Sequence, residues 1–288
     1  MIEVRKADAP LGAEIAGVDL AKALGDAEFR AIERAFVENA VVVFRDQAID
    51  EAQHVAFSRR FGALEIHVLT QYLVPGHPEI LLISNVVENG HQIGIADAGQ
   101  YWHTDLSWAA APSRCSLLYA REVPVLGGTP LGDTLFASAC AAYDALDPSM
   151  KERLVGLKAR HRYGDRYKTM SETGRSERAP LTEVQKRATP DVVHPVIRTH
   201  PISGRKSLYV NEGFPVAIEG LPEAESSALL AELFRHATRP EFIYRHRWRA
   251  GDLLMWDNCS TQHKAVADYA LPLRRLMHRT TVRGSVPV

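Results

Sequence analysis

The chain has 288 residues, 46% of them hydrophobic and 24% charged, with 34 basic against 35 acidic side chains. That is the composition of an ordinary globular protein, long enough to bury a core. A formal net charge of −1 leaves no basic footprint for nucleic acid or an anionic membrane, so the expected partner is a small molecule, with no nucleic acid and no membrane. In chain order, Phe29, Ile32, Ala35 and Phe36 share one helical face behind Gly25-Asp26, predicting a helix over Asp26–Ala40. The apolar run Val41–Phe44 reads as a buried strand. Asp50–Phe61 reads as a helix with Asp50 as its N-cap. Ile80–Ile83 and Ser116–Ala120 are further buried strands, and Ala137–Leu146 is a helix closed by Asp147-Pro148.

From Arg160 to Asp191 the chain is polar with little periodicity, a surface excursion of the kind that forms lids or binding loops. Short strands are expected at Val196–Thr199, Ser207–Val210, Phe242–Arg245, Leu253–Trp256 and Leu276–Val282. The first two are joined by the turn signal Pro201-Ile202-Ser203-Gly204-Arg205. Ala224–Ala237 is amphipathic, with Leu229, Leu230, Leu233 and Phe234 on its apolar face. No repeat or Gly/Ser linker divides the chain, which predicts a single domain over residues 1–288. Strand and helix patterns do not alternate, and no Gly-x-Gly-x-x-Gly follows a strand. The expected fold is therefore mainly β with flanking helices (α+β), a sandwich or jelly roll.

Met1-Ile2-Glu3-Val4-Arg5 carries charge where a signal peptide would be apolar, and no apolar run approaches the roughly 20 residues of a bilayer span. A cytoplasmic location is expected. Cys115, Cys140 and Cys259 are odd in number and widely spaced, which predicts buried thiols rather than disulfides or a zinc-thiolate site.

His103 and Asp105, in Tyr101-Trp102-His103-Thr104-Asp105, would leave the same face of an extended segment. His263 in Thr261-Gln262-His263-Lys264 offers a third ligand. Two imidazoles and one carboxylate make a facial triad that leaves coordination positions open for chemistry. Alone, His-x-Asp arises often by chance, and any one of twelve histidines is more often a surface or hydrogen-bonded core residue. Arg275, twelve residues beyond His263, shifts the balance, because an arginine inside a β core needs an anionic partner. A dicarboxylate would provide one through a bidentate pair, the plain alternative being a salt bridge to an Asp or Glu.

Five segments together carry a resemblance: Trp102-His103-Thr104-Asp105, Gly132-Asp133-Thr134-Leu135-Phe136, His194-Pro195-Val196-Ile197-Arg198-Thr199-His200-Pro201, Val210-Asn211-Glu212-Gly213-Phe214 and Trp256-Asp257-Asn258…Gln262-His263. With Arg274–Thr281, Leu11–Ile15 and Phe44–Ile49, they resemble the taurine dioxygenase family along nearly the whole chain. The resemblance implies a double-stranded β-helix (jelly-roll) core and an enzyme that uses Fe(II), 2-oxoglutarate and O2. It implies oxidative decarboxylation of the co-substrate to succinate and CO2, coupled to hydroxylation of the substrate. His103, Asp105 and His263 match the iron ligands, and Thr134 and Arg275 match the groups that hold the 2-oxoglutarate C5 carboxylate. Arg279 and His67 match groups that contact the anionic end of the substrate, Phe214 and Tyr167 line its pocket, and Trp256 packs near the metal. A homo-oligomer, dimer or tetramer, is expected from the same source.

The sequence departs from the family at three places. The Gly-Gly-Asp-Thr turn is lengthened to Gly127-Gly128-Thr129-Pro130-Leu131-Gly132-Asp133-Thr134; Thr134 is preferred over Thr129 because Leu135-Phe136-Ala137-Ser138 continues the pattern behind it. Thr70 and Gly99 stand where taurine-specific members carry tyrosine and asparagine. The expected substrate is thus a small organic anion, first a taurine-like sulfonate or a sulfate ester, with an aryloxyalkanoate or other carboxylate as the alternative. More remote readings are a zinc hydrolase, which leaves Arg275 and Thr134 without a task, and a non-catalytic cupin-like metal-binding module.

Overall fold

The computed structural model describes residues 2–164 and 181–288. Its principal sheet has eight strands in the spatial order Glu3–Lys6, Ala13–Ala16, Val41–Phe44, Leu253–Asp257, Ser113–Glu122, Leu276–Arg283, His77–Ser84 and Leu73–Val74. Neighbours are antiparallel apart from Ala13–Ala16 beside Val41–Phe44. The central strands are apolar runs because both faces of this sheet are covered. Side chains alternate between the faces. Val42, Phe44, Leu117, Tyr119, Leu253 and Met255 pack outward with Ile32, Ala35, Phe36 and Phe57 of the helices Asp26–Asn39 and Glu51–Arg59. Val43, Leu118, Ala120, Leu254, Trp256 and Met277 point the other way, into a second core.

That inner core is shared with a three-stranded sheet of Ile243–His246, Thr134–Ser138 and Thr261–Ala265. Phe136, fully buried, reaches across to Trp256 with ring centroids 5.7 Å apart. A further antiparallel sheet, Val192–Pro195, Lys158–His161 and Pro215–Ile218, contributes Ala159 and Ile218 to a third apolar cluster with Leu229, Leu230 and Leu233 of the helix Glu223–Ala237. The fold is mainly β with flanking helices. No described helix is long and apolar enough to cross a membrane.

Element positions follow the hydrophobic periodicity closely, and Asp50 caps its helix by accepting from Gln53 N at 2.7 Å. One expected helix begins late. Thr134–Ser138 is a strand, because Phe136 and Ala137 pair with His263 and Gln262 on one side and Tyr244 and Ile243 on the other. The helix behind it is only Ala139–Asp144, with Ser138 Oγ accepting from Ala141 N as the cap. The polar excursion expected from 160 to 191 is described only at its two ends, where Lys158–His161 is a strand and Glu183–Ala188 a helix; its middle lies outside the described residues. All three cysteines are free and buried.

Candidate active site

His263 sits in the strand Thr261–Ala265, opposite Phe136. The Tyr101–Asp105 stretch is not an extended strand, so the side chains of His103 and Asp105 are not brought together by strand alternation. It makes a single antiparallel bridge, with His103 N donating to His263 O at 3.0 Å and His263 N to His103 O at 2.8 Å, and turns at Asp105. The turn brings Asp105 under the two rings, whose centroids lie 4.1 Å apart. All three side chains are buried, each offering one ligand atom within 4.8 Å of the others.

Local hydrogen bonds set the chemistry of this group. The carbonyl of Tyr101 lies 3.0 Å from His103 Nδ1 and can only accept, so Nδ1 carries the proton and Nε2 keeps its lone pair. Burial, reinforced by His103, pulls His263 well below the ordinary imidazole range, so its ring is neutral and a competent ligand. Burial works to raise the Asp105 carboxyl, but Arg279, followed by the two histidines, holds it well below the usual carboxylate range. Ser116 Oγ donates to Asp105 Oδ2 at 2.7 Å, and Asp105 N donates to Asn258 Oδ1 at 3.2 Å. Asn258 is itself held: its Nδ2 donates to Ser113 Oγ and Ser116 Oγ, and Trp256 Nε1 donates to its Oδ1. Donor type, burial and protonation all fit a divalent metal of intermediate softness.

Beside this group, Thr134, Arg275, Leu118, Trp256 and Ala265 line a cavity that also reaches His103, His263 and Arg279. Arg275 is 4% exposed, and its Nε has no hydrogen-bond partner among the described residues. A buried guanidinium in that condition fits an anionic guest. Thr134 Oγ1 accepts from Trp248 Nε1 at 3.0 Å, which frees its own hydroxyl proton to donate elsewhere. Thr129 lies instead on an exposed hairpin with Val125 and Leu126, away from the cavity.

On the other side of His103 lies a larger pocket, about 620 Å³ of atom-free space counted with the open solvent at its mouth. His67, Arg279 and Phe214 line it. Leu69 N donates to His67 Nδ1 at 3.2 Å, so a neutral ring carries its proton on Nε2. His103 and Asp105 form its inner end, and Leu69, Ile83, Ile95, Leu106, Trp108 and Tyr163 supply an apolar and aromatic wall. Tyr167 lies outside the described residues, and Thr70 is exposed on a short turn apart from the pocket. Gly99 lines both cavities at φ +70°, and a Cβ there would stand 2.9 Å from His103 Cε1.

The sequence reading missed Ser116, Trp248, Trp108 and Tyr163. Ser116 carried a signal, being a polar side chain on the inward face of an apolar strand; the other three are visible only once chain-distant segments meet. A second buried group, His200, Asp257 and Cys259, has metal-like composition but is fully hydrogen-bonded. His200 Nδ1 accepts from the backbone N–H of Ile202 and Ser203, and its Nε2 donates to Asp257 Oδ2 at 2.9 Å, leaving no lone pair for an ion.

A family model described as "Taurine catabolism dioxygenase TauD, TfdA family" matches residues 3–281. The chain is 40% identical over 280 residues to the alpha-ketoglutarate-dependent 2,4-dichlorophenoxyacetate dioxygenase of Cupriavidus pinatubonensis, covering 93% of each chain. It is 35% identical to the alpha-ketoglutarate-dependent sulfate ester dioxygenase of Pseudomonas putida, covering all of this chain and 91% of that one. The crystal structure of AAD-2 in complex with Mn(II) and N-oxalylglycine superposes with a TM-score of 0.81 at 33% identity, over 100% of this chain and 99% of that one. The chain belongs to the taurine catabolism dioxygenase TauD, TfdA family and is an alpha-ketoglutarate-dependent dioxygenase.

Proposed function

We propose that this dioxygenase hydroxylates a small organic acid with an aryl or similarly apolar body. The lining of the larger pocket carries the reading: Trp108, Tyr163, Phe214, Ile83, Ile95 and Leu106 surround a space with cationic or donor character concentrated at Arg279 and His67. A taurine-sized sulfonate would leave most of that apolar wall against water, whereas an aryloxy acid buries its ring there at roughly 25 cal/mol per Å². The 40% identical relative is named for an aryloxy acid. This reverses the order expected from sequence, where a sulfonate or sulfate ester came first; the sulfate ester relative keeps that class as the second reading.

In this proposal His103, Asp105 and His263 hold Fe(II), and Arg275 with Thr134 receives the distal carboxylate of 2-oxoglutarate. When bound, the iron, 2-oxoglutarate and O2 together supply the oxidation of a substrate C–H bond to C–OH, with release of succinate and CO2. The residues themselves bind, orient and exclude water. Ser116 and Asn258 fix the Asp105 carboxylate and its backbone, and the Tyr101 carbonyl fixes the His103 tautomer. Arg279 and His67 anchor the head group so that the substrate chain extends along the Phe214 and Trp108 wall. The inner core between the eight- and three-stranded sheets is read as the jelly-roll of a single domain.

Succinate release measured across phenoxyacetate, an alkyl sulfate and taurine tests the reading. The phenoxy acid should be turned over fastest, and His103→Ala should abolish turnover of all three. Preferred turnover of taurine would overturn the substrate class, and wild-type activity in His103→Ala would overturn the metal site.

A further inference from the structure

Asp105 presents two carboxylate oxygens, and both are engaged. Oδ2 accepts from Ser116 Oγ at 2.7 Å. Oδ1 is the oxygen turned toward the histidine pair, 3.6 Å from His103 Nε2, and Arg279 Nη1 donates to it at 2.9 Å. Their side chains are only 12% and 5% exposed, so this ion pair is shielded from solvent screening. Arg279 also lines the co-substrate cavity and the substrate pocket, and its Nε has no hydrogen-bond partner among the described residues. The guanidinium therefore has a second place to go: an anionic group in either cavity.

We propose that Arg279 is a latch on the metal site, competing with the metal for Asp105 Oδ1 and released when an anion takes its place. A divalent cation among His103, Asp105 and His263 would meet Oδ1 first, the oxygen turned toward the histidine pair and the one to which Arg279 donates. The two cannot both keep it at full strength, because the guanidinium and the cation repel. An organic anion that draws Arg279 toward the substrate pocket removes the competitor and the nearby positive charge together. Metal and anion thus bind with positive coupling, and by linkage each raises the affinity for the other by the same factor. Ser116 keeps Asp105 oriented after Arg279 leaves, so release does not cost the carboxylate its position.

The inference rests on the proposed metal role of Asp105, and Mn(II) titration of the metal-free protein, followed by the EPR signal of free Mn(II), separates the two. Arg279→Ala should bind Mn(II) about tenfold more tightly than wild type, with Arg279→Lys in between. Phenoxyacetate should tighten Mn(II) binding to wild type severalfold and leave Arg279→Ala unchanged. Equal or weaker Mn(II) binding by a folded Arg279→Ala, or an equal phenoxyacetate effect in both proteins, overturns the latch. Asp105→Ala is the control: unaltered Mn(II) affinity there would overturn the metal site itself, and the latch with it.

Discussion

Gly99 shows how little space separates the two cavities. Its backbone takes φ +70°, a region costly for residues with a Cβ, and an added methyl would stand 2.9 Å from His103 Cε1. The ring cannot yield without breaking the Nδ1 contact to Tyr101. Gly99→Ala should weaken Mn(II) binding by about tenfold while lowering the melting temperature by only a few degrees, about 1–2 kcal/mol of backbone strain. Titration and a thermal melt on the same sample check this; unchanged metal affinity would count against the crowding argument. Trp248 acts through another residue, since its indole N–H occupies Thr134 Oγ1 and aims the hydroxyl proton away from itself. Trp248→Phe keeps most of the packing and loses that bond, worth about 1 kcal/mol. The KM for 2-oxoglutarate should rise roughly fivefold with kcat little changed; a fall in kcat alone would assign Trp248 a different role.

At the scale of elements, the strand Leu276–Arg283 organises the site. Met277 points into the inner core and Arg279 into the pockets, and Arg275, two residues before Met277, extends the same face. Thr280 on the other face bonds Ser58, beneath the helix Glu51–Arg59. A slip of one residue would carry Arg279 to the helices and put His278 in the site. What prevents it is the apolar alternation of the neighbouring strands. Leu254 is a central member of that inner layer, fully buried. Leu254→Ala should cost about 2–5 kcal/mol, read as a lowered urea midpoint at unchanged slope, with activity per folded molecule retained. These strands were legible from sequence because both of their faces are covered, so the apolar runs are unbroken. The short bridge at His103 was not, because its conformation is set by pairing with His263, a segment 160 residues away.

For the whole molecule, stability should depend on pH through histidines buried as neutral rings. Burial, with His278 nearby, pushes His54 down to about 3 from its ordinary 6.5, and burial, with His194 nearby, does the same to His161. Below about pH 6.5 the unfolded chain takes protons on these rings that the folded chain refuses until about pH 3. Their contribution is therefore complete above about 6.5 and is lost progressively as the pH falls toward 3. Each ring adds up to about 1.4 kcal/mol per pH unit within that window. Urea midpoints at pH 7.5, 6 and 5 should fall in that order, and His161→Asn should flatten the decline; equal midpoints would refute the buried neutral state.

Sequence by itself determined the chemistry on offer. The types and order of His103, Asp105, His263, Thr134 and Arg275, the mainly β pattern and the flanking helices are all local or periodic properties, and each survives reading one segment at a time. Tertiary structure alone decided what those groups meet. It brought Ser116 and Arg279 onto the two oxygens of Asp105 and walled the pocket with Trp108, Tyr163 and Ile95. The physical reason is that metal-ligand identity is carried by single residues. The size and polarity of a cavity are instead carried by side chains from strands and loops that sequence distance keeps apart and only packing brings together.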